Sequence, residues 1–178
     1  LWHSFAQYIK SQSSYLYVLE QSEGSRCTKL SRYDSTTLDK KTIELLPYGG
    51  SRTSVWALNC YASVDGMAVS ADSVLCIGTT IDQSQYDNVT SDTPHNIYLT
   101  ITPVSDFSKE ATSVKYLTNY TGNGKSFMGV KITPITENRF MISWEEYENT
   151  DDSSSENYAS ADDSLSSSTL HYLFIDGK

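Results

Sequence analysis

Two short patterns in the sequence invite a chemical interpretation. The first, Gly122-Asn123-Gly124-Lys125-Ser126, contains the glycines, lysine and hydroxyl that end a phosphate-binding loop. Such a loop begins with a glycine, where this chain has Asn119, and it leads into a helix whose N-terminus holds the phosphate. Here the apolar run 127–133 predicts a strand after the pattern, so we expect a turn and no nucleotide site.

The second pattern is a pair of adjacent carboxylates, Glu145 and Glu146. Two carboxyl groups about 5 to 9 Å apart serve glycosidases as acid and base. Adjacent residues of a strand point to opposite faces, however, which makes these two poor partners. The sequence therefore favours a non-catalytic protein, with a carbohydrate-active hydrolase or lyase as the alternative.

The cysteines and histidines do not form a ligand set for a metal. The chain has three of each, with no CxxC or HExxH pattern and no two histidines at ligand spacing. An odd number of cysteines cannot pair completely within one chain; Cys60 and Cys76 could pair, but nothing in the sequence requires it. We expect structural thiols and neither a metal nor another cofactor.

Aromatic residues are the main indication of binding. The chain has 13 tyrosines against 5 phenylalanines, and tyrosine suits half-exposed surfaces. Among the aromatic residues near strand ends or in loops, we assign Trp56 and Tyr120 to a binding surface for a sugar or a protein. Asn88 and Asn119 each begin an Asn-X-Thr glycosylation pattern, which matters only in a secreted protein.

The distribution of charge argues against nucleic acid as a partner. Thirteen basic residues face 22 acidic ones, for a net charge of −9, and there is no basic stripe to follow phosphates. The acidic excess is concentrated after Glu145, and we interpret residues 145–169 as an acidic, serine-rich insertion. No stretch approaches the roughly 20 apolar residues that span a bilayer, so we expect no membrane span.

Eleven short runs of β-branched and aromatic residues predict strands, and they fall into three sets. The first set comprises residues 5–9, 15–19, 27–33 and 42–46. The second comprises residues 64–69, 74–80, 96–102 and 114–117. The third comprises residues 127–133, 139–145 and 170–175, with no fourth run. Inner runs such as Val74-Leu75-Cys76-Ile77 are apolar at consecutive positions, so we expect both of their faces to be covered.

The three sets indicate a repeated unit within a single β domain, residues 1–178. The units cover about residues 1–50, 54–122 and 123–178. Four strands per unit, with both faces of the inner strands covered, are typical of blades that pack face to face in a propeller. The sequence thus predicts an all-β fold, a partial β-propeller of about three four-stranded antiparallel blades with the last blade incomplete. A β-sandwich is the alternative.

In its four-strand repeat the chain resembles β-propeller repeat proteins of the kelch and WD40 type. Gly49-Gly50 is similar to the kelch double glycine, although it ends a set instead of following the second strand, and there is no Trp-Asp signature. The resemblance is one of architecture, and it implies a ring of about 4 to 8 blades. The remaining blades of a parent chain, or further copies of this chain as a homo-oligomer, would complete that ring.

These observations predict a non-catalytic binding or scaffold module. We expect it to belong to a larger propeller that is secreted or lies at the cell surface, and to recognise a protein or glycan ligand through its loops. One alternative is a fragment of a propeller-type hydrolase or lyase. Another is a structural self-assembling domain, since an unfinished blade leaves a strand edge that another chain could pair.

Overall fold

The computed structural model describes residues 4–22, 27–46, 63–81, 94–121, 125–148 and 168–177. Within these ranges the chain forms three antiparallel sheets. Sheet 1 contains β1 (Ser4–Gln12), β2 (Tyr15–Ser22), β3 (Cys27–Asp34) and β4 (Lys40–Glu44). Sheet 2 contains β5 (Gly66–Val69), β6 (Ser73–Ile81), β7 (His95–Pro103) and β8 (Ser113–Tyr116). Sheet 3 contains β9 (Lys125–Thr136), β10 (Arg139–Glu148) and β11 (Ser168–Asp176).

The prediction of an all-β fold is confirmed. Each predicted run overlaps a strand, and in every sheet the strands that are neighbours in sequence pair with each other. The β4 strand, predicted at 42–46, lies two residues earlier and ends at Glu44, after which Leu45 donates through its N–H to the Thr28 carbonyl. In the part of the chain that the structure describes, no helix is long and apolar enough to cross a membrane.

Sheet 2 lies between the other two sheets and is covered on both faces. The buried side chains between sheets 1 and 2 include Tyr17, Leu19, Leu30, Met67, Val74 and Cys76. Those between sheets 2 and 3 include Leu75, Ile77, Leu99, Val130, Phe140 and Ile142. Each fully buried aliphatic side chain contributes about 1.5 to 3 kcal/mol to folding. The consecutive apolar residues of β6 thus supply both interfaces, because successive residues of a strand face opposite ways.

The first strands of the three sheets lie next to one another. Backbone contact between different sheets is concentrated where β5 meets β1 of sheet 1 and β9 of sheet 3. The β6 strand also approaches β9. The sheets therefore come closest along the edge that their first strands form.

Polar groups link each outer sheet to sheet 2. From β3, the Arg32 guanidinium lies 4.7 Å from the centre of the Phe107 ring and donates to the Val104 carbonyl at 2.8 Å. At the other interface, the buried Ser70 hydroxyl donates to the carbonyl of Gly177 at 2.6 Å, which ties the end of β11 to the turn between β5 and β6.

The Cys76 side chain is fully buried and its thiol is free. Burial raises the pKa of this thiol to about 12, so the thiolate that reacts with metals and oxidants does not form at neutral pH. Cys60, which the sequence left open as its disulfide partner, lies outside the described residues.

Candidate functional site

A polar and aromatic cluster lies between sheets 2 and 3, at the end where β10 finishes and β11 begins. We define the Tyr120 cluster as Tyr120, Phe127, Trp144, Glu146 and His171. Alternate residues of β10 face sheet 2, so the buried row that starts with Phe140 and Ile142 continues through Trp144 to Glu146. An apolar sheet face thus ends in a carboxylate.

Strand register brings these residues side by side. Trp144 pairs with His171 of β11, and Glu146 pairs with Phe127 of β9. The pairing of β9 with β10 shifts register beside Gly129, whose φ of 66° is in the left-handed region. This bulge places Phe127 on the same face as Val130, three residues away, which a regular strand would not do.

Tyr120 reaches the cluster from the segment that follows β8, and Asn96 of β7 fixes that segment. The buried Asn96 side chain accepts the Tyr120 backbone N–H at 2.6 Å and donates to the Tyr120 carbonyl at 3.2 Å. The Thr118 hydroxyl donates to the same Asn96 oxygen at 2.9 Å. Three hydrogen bonds therefore hold the backbone of residues 118–120 against the start of β7.

The Tyr120 side chain spans the gap between the two sheets. Its hydroxyl donates to Glu146 Oε2 at 2.6 Å, and its ring stacks on Phe127 with centroids 5.2 Å apart. Burial, followed by the hydrogen bond to the Glu146 carboxylate, raises the pKa of Tyr120 to about 12. The phenol is therefore protonated at neutral pH and acts as a hydrogen-bond donor.

Trp144 and His171 form the second wall of the cluster. Their rings stack with centroids 5.4 Å apart and planes 11° apart. The Trp144 indole acts to lower the Tyr120 pKa, against the larger effects of burial and Glu146, although its Nε1 makes no hydrogen bond of standard geometry. His171 Nε2 lies 3.7 Å from Glu146 Oε2. Among the described residues, neither Trp144 Nε1 nor His171 Nε2 has a hydrogen-bond partner, although both atoms are buried.

These groups combine partial burial with polar and aromatic chemistry. The side chains of Glu146 and His171 are 18% and 37% exposed, and the Tyr120 and Phe127 rings are half-buried. The cluster combines a carboxylate acceptor, nitrogen atoms with unused hydrogen-bonding capacity, and aromatic surface. Sites for small polar ligands combine apolar walls with a few oriented polar groups in this way.

Of the two site residues predicted from the sequence, Tyr120 is part of this cluster and Trp56 lies outside the described residues. Glu145 pairs with Leu170 on the opposite face of sheet 3 from Glu146, so the two adjacent carboxylates are separated as expected. Sequence reasoning missed Trp144 and His171. The alternating row from Phe140 to Glu146 was a usable signal, because it leads from buried positions to a carboxylate.

A shallow depression of about 290 Å³ beside the turn between β3 and β4 is a weaker candidate. Two of its charged residues are already engaged, since Asp34 accepts the backbone N–H groups of Thr36 and Thr37 and Arg32 donates to the Val104 carbonyl. The residues that the structure describes also contain no group of three or more histidine, cysteine, aspartate or glutamate side chains placed to hold a metal ion.

A scan against protein-family models finds no match to this chain, and searches of curated proteins and of solved structures find none either. The chemistry of the Tyr120 cluster is therefore the basis for a proposed function.

Proposed function

We propose that this chain is a non-catalytic binding module, built on part of a β-propeller, that recognises a glycan at the Tyr120 cluster. The observation that carries the proposal is the contact at 2.6 Å between a protonated phenol and a largely buried carboxylate, beside two aromatic pairs. A protein ligand for the same cluster is the alternative.

The propeller is supported by the way the sheets stack. Both faces of sheet 2 are covered by neighbouring sheets, and β1, β5 and β9 lie together. Blades of a propeller pack face to face with their first strands around the axis. A two-sheet sandwich buries only one face of each sheet, so it accounts less well for the buried middle sheet.

Binding is favoured over hydrolysis by the protonation state of Tyr120. A phenol with a pKa near 12 is neither a base nor a nucleophile at neutral pH, and its bond fixes the orientation of Glu146. The adjacent Glu145 cannot assist Glu146, because it lies on the other face of the sheet. The Tyr120 bond and the separation from Glu145 both suit Glu146 to accepting a hydrogen bond from a ligand.

A glycan fits the mixture of groups at this site. Sugar hydroxyls can donate to a carboxylate, and the apolar face of a sugar ring can stack on an aromatic side chain. The Glu146 carboxylate and the Phe127 ring lie opposite each other on neighbouring strands, so one small ring could contact both.

We further propose that the protein is secreted or displayed at the cell surface. Asn119 is exposed directly beside Tyr120 and begins an Asn-Tyr-Thr glycosylation pattern. Glycans are the characteristic ligands and modifications of that environment.

The test uses Trp144 as the reporter. In a variant with Trp2→Phe and Trp56→Phe, Trp144 is the only remaining tryptophan, and its fluorescence is titrated with cellotriose, maltotriose, chitotriose and a lysine-rich peptide. We expect saturable binding of at least one saccharide. Glu146→Gln should weaken this binding at least about tenfold, because hydrogen bonds to a charged acceptor contribute about 1.5 to 3 kcal/mol.

Glu145→Gln is the matched control, since it makes the same change one residue away on the opposite face, and it should leave the affinity unaltered. Binding of the peptide alone, lost in Glu146→Gln, would identify a protein ligand instead. A saccharide affinity that is equal in Glu146→Gln and the parent, or no response to any probe, would overturn the assignment of a binding site to this cluster.

A further inference from the structure

The exposed apolar side chains are concentrated on the two outer faces of the three-sheet stack. Among the described residues, the large exposed apolar side chains in strands are Ile9, Leu16, Ile135, Leu170, Tyr172 and Phe174. Leu38, in the turn between β3 and β4, is the exception. Neither face of the middle sheet contributes a residue to this set.

Strand register shows which face each residue occupies. In sheet 1, Ile9 pairs with Val18, which alternates with the buried Tyr17 and Leu19, so Ile9 points away from sheet 2. In sheet 3, Leu173 packs toward sheet 2, so its neighbours Tyr172 and Phe174 point outward. Tyr172 is 63% exposed and Ile9 is 59% exposed. The outer face of sheet 3 thus presents Leu170, Tyr172 and Phe174 in a row along β11, and the outer face of sheet 1 presents Ile9 and Leu16.

The charges on these two faces are balanced, although the chain has a net charge of −9. The charged residues at outward register positions in sheet 1 are Glu20, Lys29, Lys40 and Glu44. Those in sheet 3 are Lys131, Arg139, Glu145 and Asp176. Two cations and two anions on each face remove the repulsion that the net charge would otherwise impose on association of two copies.

The chain already contains two interfaces of the kind these faces could form. Sheet 2 covers the inner face of sheet 1 and the inner face of sheet 3, and in both cases the first strands of the two sheets meet. A further sheet on the outside of sheet 3 would continue the stack, with its first strand beside β9.

We propose that the outer face of sheet 3 packs against the outer face of sheet 1 of a second copy of this chain, and that two copies close a ring of six sheets. This ring requires the propeller fold of the proposed function. The described residues of one copy supply three sheets, so two copies supply six, a number within the range of about 4 to 8 found in propellers. Sheet 3 of each copy contacts sheet 1 of the other copy, so the same contact occurs twice. The two-fold rotation that relates the copies closes the ring.

Light scattering across a concentration series tests the ring. We expect a particle of twice the 19.9 kDa chain mass that persists on dilution. Tyr172→Lys and Ile9→Glu should each give monomers, because each variant damages both interfaces. Leu38→Lys is the control, since it places a charge on an equally exposed side chain outside both faces, and it should stay dimeric. Circular dichroism and urea unfolding show whether each variant is folded.

Mixing the two variants gives the decisive result. A pair of Tyr172→Lys and Ile9→Glu chains has one unaltered interface, and its other interface places the new lysine against the new glutamate. We therefore expect the mixture to recover the dimer that neither variant forms alone. A pairing of sheet 3 with sheet 3 would predict no effect of Ile9→Glu and no recovery on mixing.

Several outcomes would overturn the ring: a folded monomer at all concentrations, a dimer insensitive to both substitutions, or growth of the particle beyond two chains. The saccharide titration separates this inference from the proposed function. A monomer that still binds a saccharide through Glu146 would refute the ring alone, whereas a six-sheet dimer that binds no probe would refute the ligand site alone.

Discussion

Replacement of Asn96 by alanine tests whether this side chain connects the fold to the Tyr120 cluster. The substitution removes three hydrogen bonds, two to the Tyr120 backbone and one to the Thr118 hydroxyl, from a fully buried position. Each bond contributes about 1 kcal/mol net. Because Asn119 beside them is exposed, water can satisfy part of what is lost. We expect the free energy of unfolding to fall by about 2 to 3 kcal/mol.

Urea unfolding followed by circular dichroism measures this change. With a slope of about 2 kcal/mol per molar urea, the midpoint should fall by about 1 to 1.5 M while the slope stays constant. Asn119→Ala is the matched control, since it removes an exposed asparagine from the same segment, and it should change the free energy by less than about 0.5 kcal/mol.

The consequence for the cluster is a second readout. Without Asn96, Tyr120 should no longer be held on Glu146, and its pKa should fall from about 12 toward 10. Ultraviolet titration of the phenolate should therefore show one more tyrosine ionising near pH 10 in Asn96→Ala than in Asn119→Ala. A loss of stability below 1 kcal/mol, together with an unchanged titration, would refute the idea that Asn96 positions Tyr120.

Three further predictions concern stability and modification. Gly78→Ala should lower the free energy of unfolding in urea by more than about 3 kcal/mol, because the new Cβ would overlap the Ser63 carbonyl. Gly129→Ala should lower it by about 1 to 2 kcal/mol, because only the φ of 66° opposes a side chain there. Similar losses in the two variants would contradict this ranking. Burial lowers the pKa of His95 from 6.5 to about 4, so between these pH values the unfolded chain binds more protons than the folded chain. The free energy of unfolding should therefore fall by up to about 3 kcal/mol as the pH is lowered from 6.5 to 4. An identical decline in His95→Gln would exclude His95 as the cause. When the chain is secreted from eukaryotic cells, Asn119 should carry a glycan. Enzymatic deglycosylation should remove this glycan, and the Asn119→Gln variant should lack it. A secreted chain of unmodified mass would contradict the predicted accessibility of Asn119.

The strands could be predicted from the sequence because their signal is local. Runs such as Val74 to Ile77 and Asn96 to Thr102 are rich in β-branched and other apolar residues, and both are strands in the structure. The limits of strands were less predictable. Polar residues at the ends of β9 still pair with β10 across a tight turn, so this strand begins at Lys125 and ends at Thr136 rather than covering 127–133.

The composition of the site could not be predicted, because it depends on register and on contacts distant in sequence. A regular β9 would place Phe127 and Val130 on opposite faces, and only the bulge at Gly129 brings both toward sheet 2. Tyr120 was predicted as a ligand residue from its position in a loop. Its partner Glu146 follows 26 residues later in another sheet, which no local pattern indicates.

Two tyrosines near the start of β7 show why the Tyr120 cluster differs from ordinary core packing. On the face toward sheet 1, the fully buried Tyr98 donates to the Ser63 backbone carbonyl at 3.0 Å and packs with Leu46. On the face toward sheet 3, Tyr120 instead meets the Glu146 carboxylate, whose side chain is 18% exposed. A largely buried carboxylate costs desolvation energy that a backbone carbonyl or an apolar side chain at the same place would avoid. The protein bears this cost beside Tyr120 and avoids it beside Tyr98, which supports the proposal that a ligand uses the Glu146 carboxylate.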